Sequence, residues 1–239
     1  DRSLQTYGQN LKVIFGSHEH EIINYVTNKK IDYLVKGSSF GVNEQKFESQ
    51  IFTSLEEINH QNSNKVKFES VWQHTLFEPE KIPFTVSDIP DVFSQFRRKI
   101  ENEYLYITPP ASITSLPKAL STRIEFPHQS RFGLDISQHG LTPVGGCISG
   151  LAHLDDYFSI DALHSYKQTR NELDDWYSSS KMSFWLANGS ISAKQVSQRI
   201  TDFEIKFGSN ESTYWLKFEL LWREFFHWHL EKHQQKVFA

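Results

Sequence analysis

Three short apolar runs separated by two helical stretches, all before residue 72, constrain this chain more than any other feature. Residues 11–16 (LKVIFG), 32–36 (DYLVK) and 65–71 (KVKFESV) have the length and β-branched content of strands. Between them, residues 17–29 put Ile22, Ile23 and Val26 on one helical face, and residues 42–59 put Phe47, Ile51, Leu55 and Ile58 at turn spacing. Parallel neighbours need a long connection that packs back on the sheet, so this order predicts a parallel sheet with right-handed crossovers. Three strands make a small sheet, and a parallel sheet is covered on both faces. The expectation is an α/β domain that is incomplete at its front.

Beyond residue 71 the pattern changes. Residues 91–101 (DVFSQFRRKIE) read as a helix, with Asp88 as its candidate cap. Residues 103–143 hold Pro109, Pro110, Pro117, Pro127 and Pro143 among many Ser and Thr, which predicts an extended connector. From Gly145-Gly146 onward only helices are expected: 146–158, 161–171, 183–188, 193–206 and 212–233. Ser192 and Ser212 are expected N-caps, and Gly208 a stop. The fold class is thus α/β followed by all-α: a partial α/β domain over 1–102, a connector over 103–143 and a helical domain over 144–239.

Composition narrows the partners. Nineteen Phe and six Trp suit a bulky core or stacking on a planar ligand. A net charge of −4 gives no whole-molecule argument for nucleic acid. Arg97-Arg98-Lys99 is a small basic cluster on a solvated helix face. The single Cys147 rules out an internal disulfide and suits a reducing compartment, so the expected location is cytoplasmic. No run approaches the roughly 18 apolar residues of a spanning helix, so no membrane is expected. His18 and His20 do not share a helix face. His229 and His233 are four apart and could chelate, yet no third ligand is evident, so no metal is expected. The oligomeric state is left open.

The chemistry concentrates in the rear half. Ser178–Ser183 is a polar turn opening a helix, a place where phosphate is commonly held and where serines also act as caps. The helix that follows later, STYWLKFELLWREFF, puts Trp215, Glu219, Trp222 and Phe226 on one face. Glu219 and Arg223 are four apart and are expected to pair. A carboxylate inside an aromatic stripe is costly to bury alone, so it reads as one half of a structural pair or as a group meeting a polar ligand. In the front half, Asn43 and Glu44 follow the loop after the second strand, at the carboxyl edge where ligands bind parallel sheets. They equally suit a helix start.

Several of these segments carry a resemblance. Tyr166–Asn171 (YKQTRN), Ser179–Ser183 (SSKMS), Trp185–Ser192 (WLANGSIS), Ser212–Trp215 (STYW) and Glu219–Phe226 (ELLWREFF) resemble the photolyase/cryptochrome family, most of all its DASH cryptochrome branch. The resemblance implies an incomplete Rossmann-like antenna domain followed by the first part of a helical FAD-binding domain. It implies FAD bent into a U, with Ser179, Ser180, Lys181, Met182 and Ser183 around its diphosphate and Tyr166, Glu219 and Arg223 beside it. It implies that Glu219 and Trp222 meet a pyrimidine dimer in DNA. Asn43 and Glu44 resemble the site of an antenna chromophore, often a folate such as 5,10-methenyltetrahydrofolate. Phe184 stands where the family usually has Pro, and Ser178 where the branch usually has Tyr. The implied activity is blue-light-driven repair of cyclobutane pyrimidine dimers in single-stranded DNA. The alternative is a truncated non-catalytic remnant, or a light-signalling or nucleotide-binding module. Family members continue past Ala239 into further helices, so the chain alone is expected to be inactive.

Overall fold

The computed structural model describes residues 2–9, 11–14, 16, 18–61, 65–103, 105, 107–117, 143–160, 162–173 and 175–238. In chain order the elements are α1 (Arg2–Gln5), α2 (His18–Lys29), β1 (Tyr33–Gly37), α3 (Val42–Gln61), β2 (Lys67–Val71), α4 (Phe93–Asn102), α5 (Cys147–Ser159), α6 (Ala162–Thr169), α7 (Ser183–Leu186), α8 (Ala193–Phe207) and α9 (Glu211–His233). Short 3-10 turns stand at Pro79–Lys81, Val86–Asp88 and Gln234–Phe238. An α/β stretch followed by helices is thus the observed order. The predicted connector has no regular secondary structure over 107–117, and its residues 118–142 lie outside the described part. The chain divides into two compact units, Ile14–Tyr106 with Trp222–Ala239, and Asp1–Val13 with Ile107–Leu221.

In the first of these units β1 and β2 pair in parallel, from Tyr33 with Lys67 to Gly37 with Val71, and α3 is the crossover. The strand expected at 11–16 does not form: residues 11–14 carry no ladder, and residue 15 lies outside the described part. A run of apolar residues settles into a strand where its side chains pack against neighbours, and here Leu11 and Ile14 stay exposed. One sheet face sends Leu34 and Phe68 onto a core of Val26, Ile51, Leu55 and Val66. Full burial of a side chain such as Ile51 or Leu55 contributes about 1.5–3 kcal/mol. Asn59 of α3 fixes the entry to β2, its amide meeting Val66 N at 2.7 Å and Val66 O at 2.8 Å. The other face leaves Tyr33, Val35 and Val71 exposed.

The same unit has a second, aromatic core. Trp72 stacks on Trp228 with centroids 5.1 Å apart, and Phe93 and Phe96 pack against Phe225. Buried within it is Glu224, fully enclosed. It accepts from Leu76 N at 2.8 Å, Phe77 N at 3.3 Å and Trp228 Nε1 at 2.8 Å. Asp88 is not the cap of α4. It accepts from the Thr85 hydroxyl inside a 3-10 turn, and Val92 is the N-cap. Pro90 explains the gap: the residue before a proline is driven out of the helical region, and Ile89 has ψ 126°.

In the second unit α5 approaches α7 and the turn after it closely. A Cβ at Gly150 would lie 2.8 Å from Ile191 Cγ2 and 2.9 Å from Trp185. Ser192 caps α8 in a reciprocal capping box with Gln195, and Gly208 ends the helix at φ 85°. Ser212 is not a cap. Helix α9 starts one residue earlier, and Asn210 Oδ1 receives the N–H groups of Ser212 and Thr213. The buried Ser212 hydroxyl instead donates to His164 O at 3.0 Å and accepts from Lys167 N at 3.0 Å, tying α6 to α9.

Two tests follow from this packing. Ser212→Ala leaves a backbone donor and acceptor of α6 without their partner, a cost of about 1–3 kcal/mol. Ser192→Ala loses a solvent-exposed cap, about 1 kcal/mol. Denaturant unfolding of the two variants is expected to rank Ser212→Ala as the more destabilised. Burial pushes the Glu224 carboxyl up to about 7, prevailing over the hydrogen bonds from Leu76, Trp228 and Phe77 that favour the charge. A carboxyl raised in the fold stabilises fully below its ordinary value of 4.5, and that contribution is lost as pH rises through about 7. At roughly 1.4 kcal/mol per pH unit the loss is on the order of 3 kcal/mol. Unfolding free energies measured across this window should fall more steeply for the wild type than for Glu224→Gln. Parallel slopes would contradict the assignment.

Candidate functional site

The serine turn is held from beneath by its neighbours. Thr169 Oγ1 donates to Ser178 O at 2.7 Å, and His153 Nε2 donates to Ser180 O at 2.8 Å. The buried Ser178 hydroxyl lies 3.0 Å from Glu172 and 2.9 Å from Asp175. Met182 is buried, and Trp185 anchors α7 through its Nε1 to Val144 O at 2.9 Å. Lys181 has φ 49°, a left-handed conformation that turns the chain sharply ahead of α7. That helix is one turn long, ending at Leu186 where 188 was expected, so helix-dipole attraction contributes little here. What remains is a bent backbone carrying hydroxyls. Ser179 is half-buried and Ser183 exposed, and neither hydroxyl has a protein partner among the described residues.

Across from this turn, α6 and the first half of α9 supply charge. Tyr166 is buried, close to the Ser180 side chain and to Glu219. Burial and then the Glu219 charge push its phenol up to about 12, against Arg170 and Ser180. The hydroxyl therefore keeps its proton near neutral pH and is a donor. The Glu219 carboxylate forms an ion pair with the Arg170 guanidinium, which also lies 4.6 Å from the centroid of the Trp215 ring. A guanidinium answered by a carboxylate on one side and an aromatic face on the other is well held.

This corrects the expected Glu219–Arg223 pair. Arg223 donates instead to His74 O at 2.5 Å in the other compact unit, while Arg170 takes the carboxylate. Residues four apart on a helix are neighbours, but a partner from another segment competes on equal terms. The expected aromatic face is likewise shared out. Trp215 lies with Glu219, whereas Trp222 stacks on Phe93 with centroids 3.6 Å apart and planes 13° apart, and next on Phe226. The structure thus gathers Tyr166, Ser180 and Glu219, and keeps Ser179, Lys181, Met182 and Ser183 in the same turn. Arg170 is the site residue that side-chain patterning missed. The signal was present: Glu219 needed a cation, and Arg170 ends the YKQTRN segment.

The front-half candidates stand elsewhere. Asn43 and Glu44 are exposed on the first turn of α3. Glu44 folds back over Gly41, where a Cβ would meet its Oε2 at 2.0 Å. Next to them is a cavity of about 550 Å³ between the carboxyl end of β1 and α3, lined by Ser38, Ser39, Gln45, Glu48, Phe52 and Trp72 among others. Asn43 and Glu44 do not line it; Gln45 and Glu48 face it from the same helix. Burial opposes the Glu48 charge, but bonds from Lys36 and Ser70 hold its carboxyl below the ordinary value. The Lys36 bond is 2.8 Å. Among the described residues no helix is long and apolar enough to cross a membrane.

Known proteins share this arrangement. Residues 1–117 match the family model described as DNA photolyase. The chain is 34% identical to the cryptochrome DASH of Idiomarina loihiensis, over 99% of this chain and 50% of that protein. The crystal structure of Synechocystis sp. PCC6803 cryptochrome matches it with a TM-score of 0.82 at 31% identity, over 100% of this chain and 49% of the other. A bacterial class III photolyase from Agrobacterium tumefaciens shares the fold alone, with a TM-score of 0.79 at 18% identity over 98% of this chain and 48% of the other. The chain spans about half the length of the curated relatives it matches. A chain with these sequence relatives, a parallel βαβ crossover and a helical half carrying the serine turn belongs to the photolyase/cryptochrome family, with its similarity running to the DASH cryptochromes.

Proposed function

We propose that this chain contributes one wall of a flavin site and acts in the blue-light-driven repair of cyclobutane pyrimidine dimers in single-stranded DNA. The observation that carries the reading is the Arg170–Glu219 ion pair beside the buried Tyr166, which ties α6 to α9 near the serine turn. The residues present fit FAD on chemical grounds. Hydroxyls of Ser179 and Ser183 without protein partners, on a sharply bent backbone, suit a diphosphate. Ser179, Ser180, Lys181, Met182 and Ser183 would hold that group, Lys181 and Met182 through their backbone. Tyr166 would orient the site as a proton-bearing donor. Glu219, fixed by Arg170, would present a carboxylate of set direction. When bound, the flavin supplies light absorption and electron transfer; the chain binds, orients and excludes water.

Toward DNA, Glu219 and Trp222 are the residues assigned to the dimer. A Trp face stacks on a flipped base, and a carboxyl group meets a thymine edge. Flipping costs least in single strands, which suits a molecule with no net positive charge. We assign the antenna chromophore, a folate such as 5,10-methenyltetrahydrofolate, to the edge marked by Asn43 and Glu44. The adjoining cavity has a volume usual for a small-molecule site. On this reading residues 1–102 form the antenna side, 103–143 the connector and 144–239 the flavin side.

The test is titration of the purified chain with FAD, followed by flavin fluorescence, then illumination with a dimer-containing single-stranded oligonucleotide. Arg170→Ala frees the Glu219 carboxylate to reorient and is expected to weaken FAD binding by about tenfold, equivalent to roughly 1.4 kcal/mol. Lys181→Ala is expected to change it little. Equal affinity for both variants would sink the site assignment. The chain alone is expected to leave the dimer uncleaved, and dimer cleavage by this chain would overturn the expectation that one wall of the site is insufficient.

A further inference from the structure

Outside the flavin site, three metal-ligating side chains converge in the unit that contains the sheet. His229 and His233 lie on one face of α9, with ring centroids 4.3 Å apart. Asp91, in the turn ahead of α4, completes the group, and the three ligand atoms all lie within 4.8 Å of one another. Asp91 Oδ1 meets His233 Nε2 at 2.5 Å. His229 Nδ1 is shielded from solvent and has no hydrogen-bond partner. Sequence spacing suggested the two histidines as a chelating pair; the third ligand is supplied by a residue far away in the chain.

We propose that Asp91, His229 and His233 form a binding site for a divalent transition ion of the zinc class. Two imidazoles and one carboxylate, with coordination positions left for water, are a donor set for Zn²⁺ or Co²⁺. At metal–ligand bonds of about 2.1 Å the donor atoms of a tetrahedral site stand roughly 3.4 Å apart, inside the observed envelope. The Asp91–His233 contact would open by under an ångström to admit the ion, and Asp91 has the freedom to do so, with 59% of its side chain exposed. The position at the carboxyl end of α9 also favours a cation, because the last carbonyls carry partial negative charge.

Charge balance selects the ion. Lys232 Nζ lies 2.8 Å from Asp91 Oδ1 and 2.6 Å from Ile89 O. The ammonium offsets the one carboxylate, so the site has little net charge with which to hold a hard cation. Mg²⁺ and Ca²⁺ require several oxygen ligands and find one carboxylate here. Binding has to come from the imidazole nitrogens, which Zn²⁺ and Co²⁺ prefer. Once bound, the ion would clamp the turn before α4 to the end of α9.

The experiment is calorimetric titration of the full chain with Zn²⁺ and separately with Mg²⁺, alongside thermal unfolding with and without Zn²⁺. One equivalent of Zn²⁺ is expected, with a higher Tm and no Mg²⁺ binding. His229→Gln and Asp91→Asn should each lower Zn²⁺ affinity by about tenfold or more, while His60→Gln, an exposed histidine elsewhere on α3, should not. Circular dichroism shows whether each variant is folded. With Co²⁺, tetrahedral or five-coordinate absorption bands should appear and vanish in His233→Gln. Zn²⁺ binding that survives both His229→Gln and Asp91→Asn, or Mg²⁺ binding of equal strength, overturns the proposal.

Discussion

A carboxylate set among aromatic side chains has to be met by donors, and helix α9 carries two. Glu219 is met by Arg170, and Glu224 by the N–H groups of Leu76, Phe77 and Trp228. Five residues apart at 100° each, they point roughly 140° from one another around the helix. Each belongs to a different compact unit, so one helix supplies an organising charge to both. A buried group left without its partners costs far more than the contacts contribute, which makes the Glu224 position demanding of its surroundings and the partly exposed Glu219 less so.

The consequences differ because the partners differ. Arg170 is itself charged, so its ion pair holds Glu219 in a fixed direction beside Tyr166 and the serine turn. That is what a site for a polar ligand needs. Glu224 has only neutral N–H donors and complete burial, and it is driven toward its neutral form. It holds the segment after β2 in place and answers to pH. The same residue type is thus an oriented ion pair in one setting and a buried structural group in the other, the nearest partner of the first being a guanidinium.

The last turns of α9 show a third use of side chains at four-residue spacing. His229 and His233 gain meaning only because Pro90 stops α4 from starting early and leaves Asp91 in an extended turn facing them. Lys232 on the same turn keeps Asp91 there. The geometry of this cluster is set by a chain break in one helix and the regularity of another.

What the amino-acid sequence determined by itself was the set of elements and their periods. Helix spacing, the α3 crossover, the Ser192 cap and the Gly208 stop all follow from local rules that act within a few residues. The segments of the rear half also carried the family. What it did not determine was pairing across distance. The first β-like run carries no ladder over residues 11–14, and Asp88 is cut off from its helix by Pro90. Ser212 finds α6 in place of its own helix start, Arg170 displaces Arg223 at Glu219, and Asp91 joins two histidines. Each of these outcomes depends on which donor and acceptor the packing brings within about 3 Å, a distance no sequence period fixes. Only the tertiary structure decides it, because the strength of a polar contact falls away steeply beyond that reach.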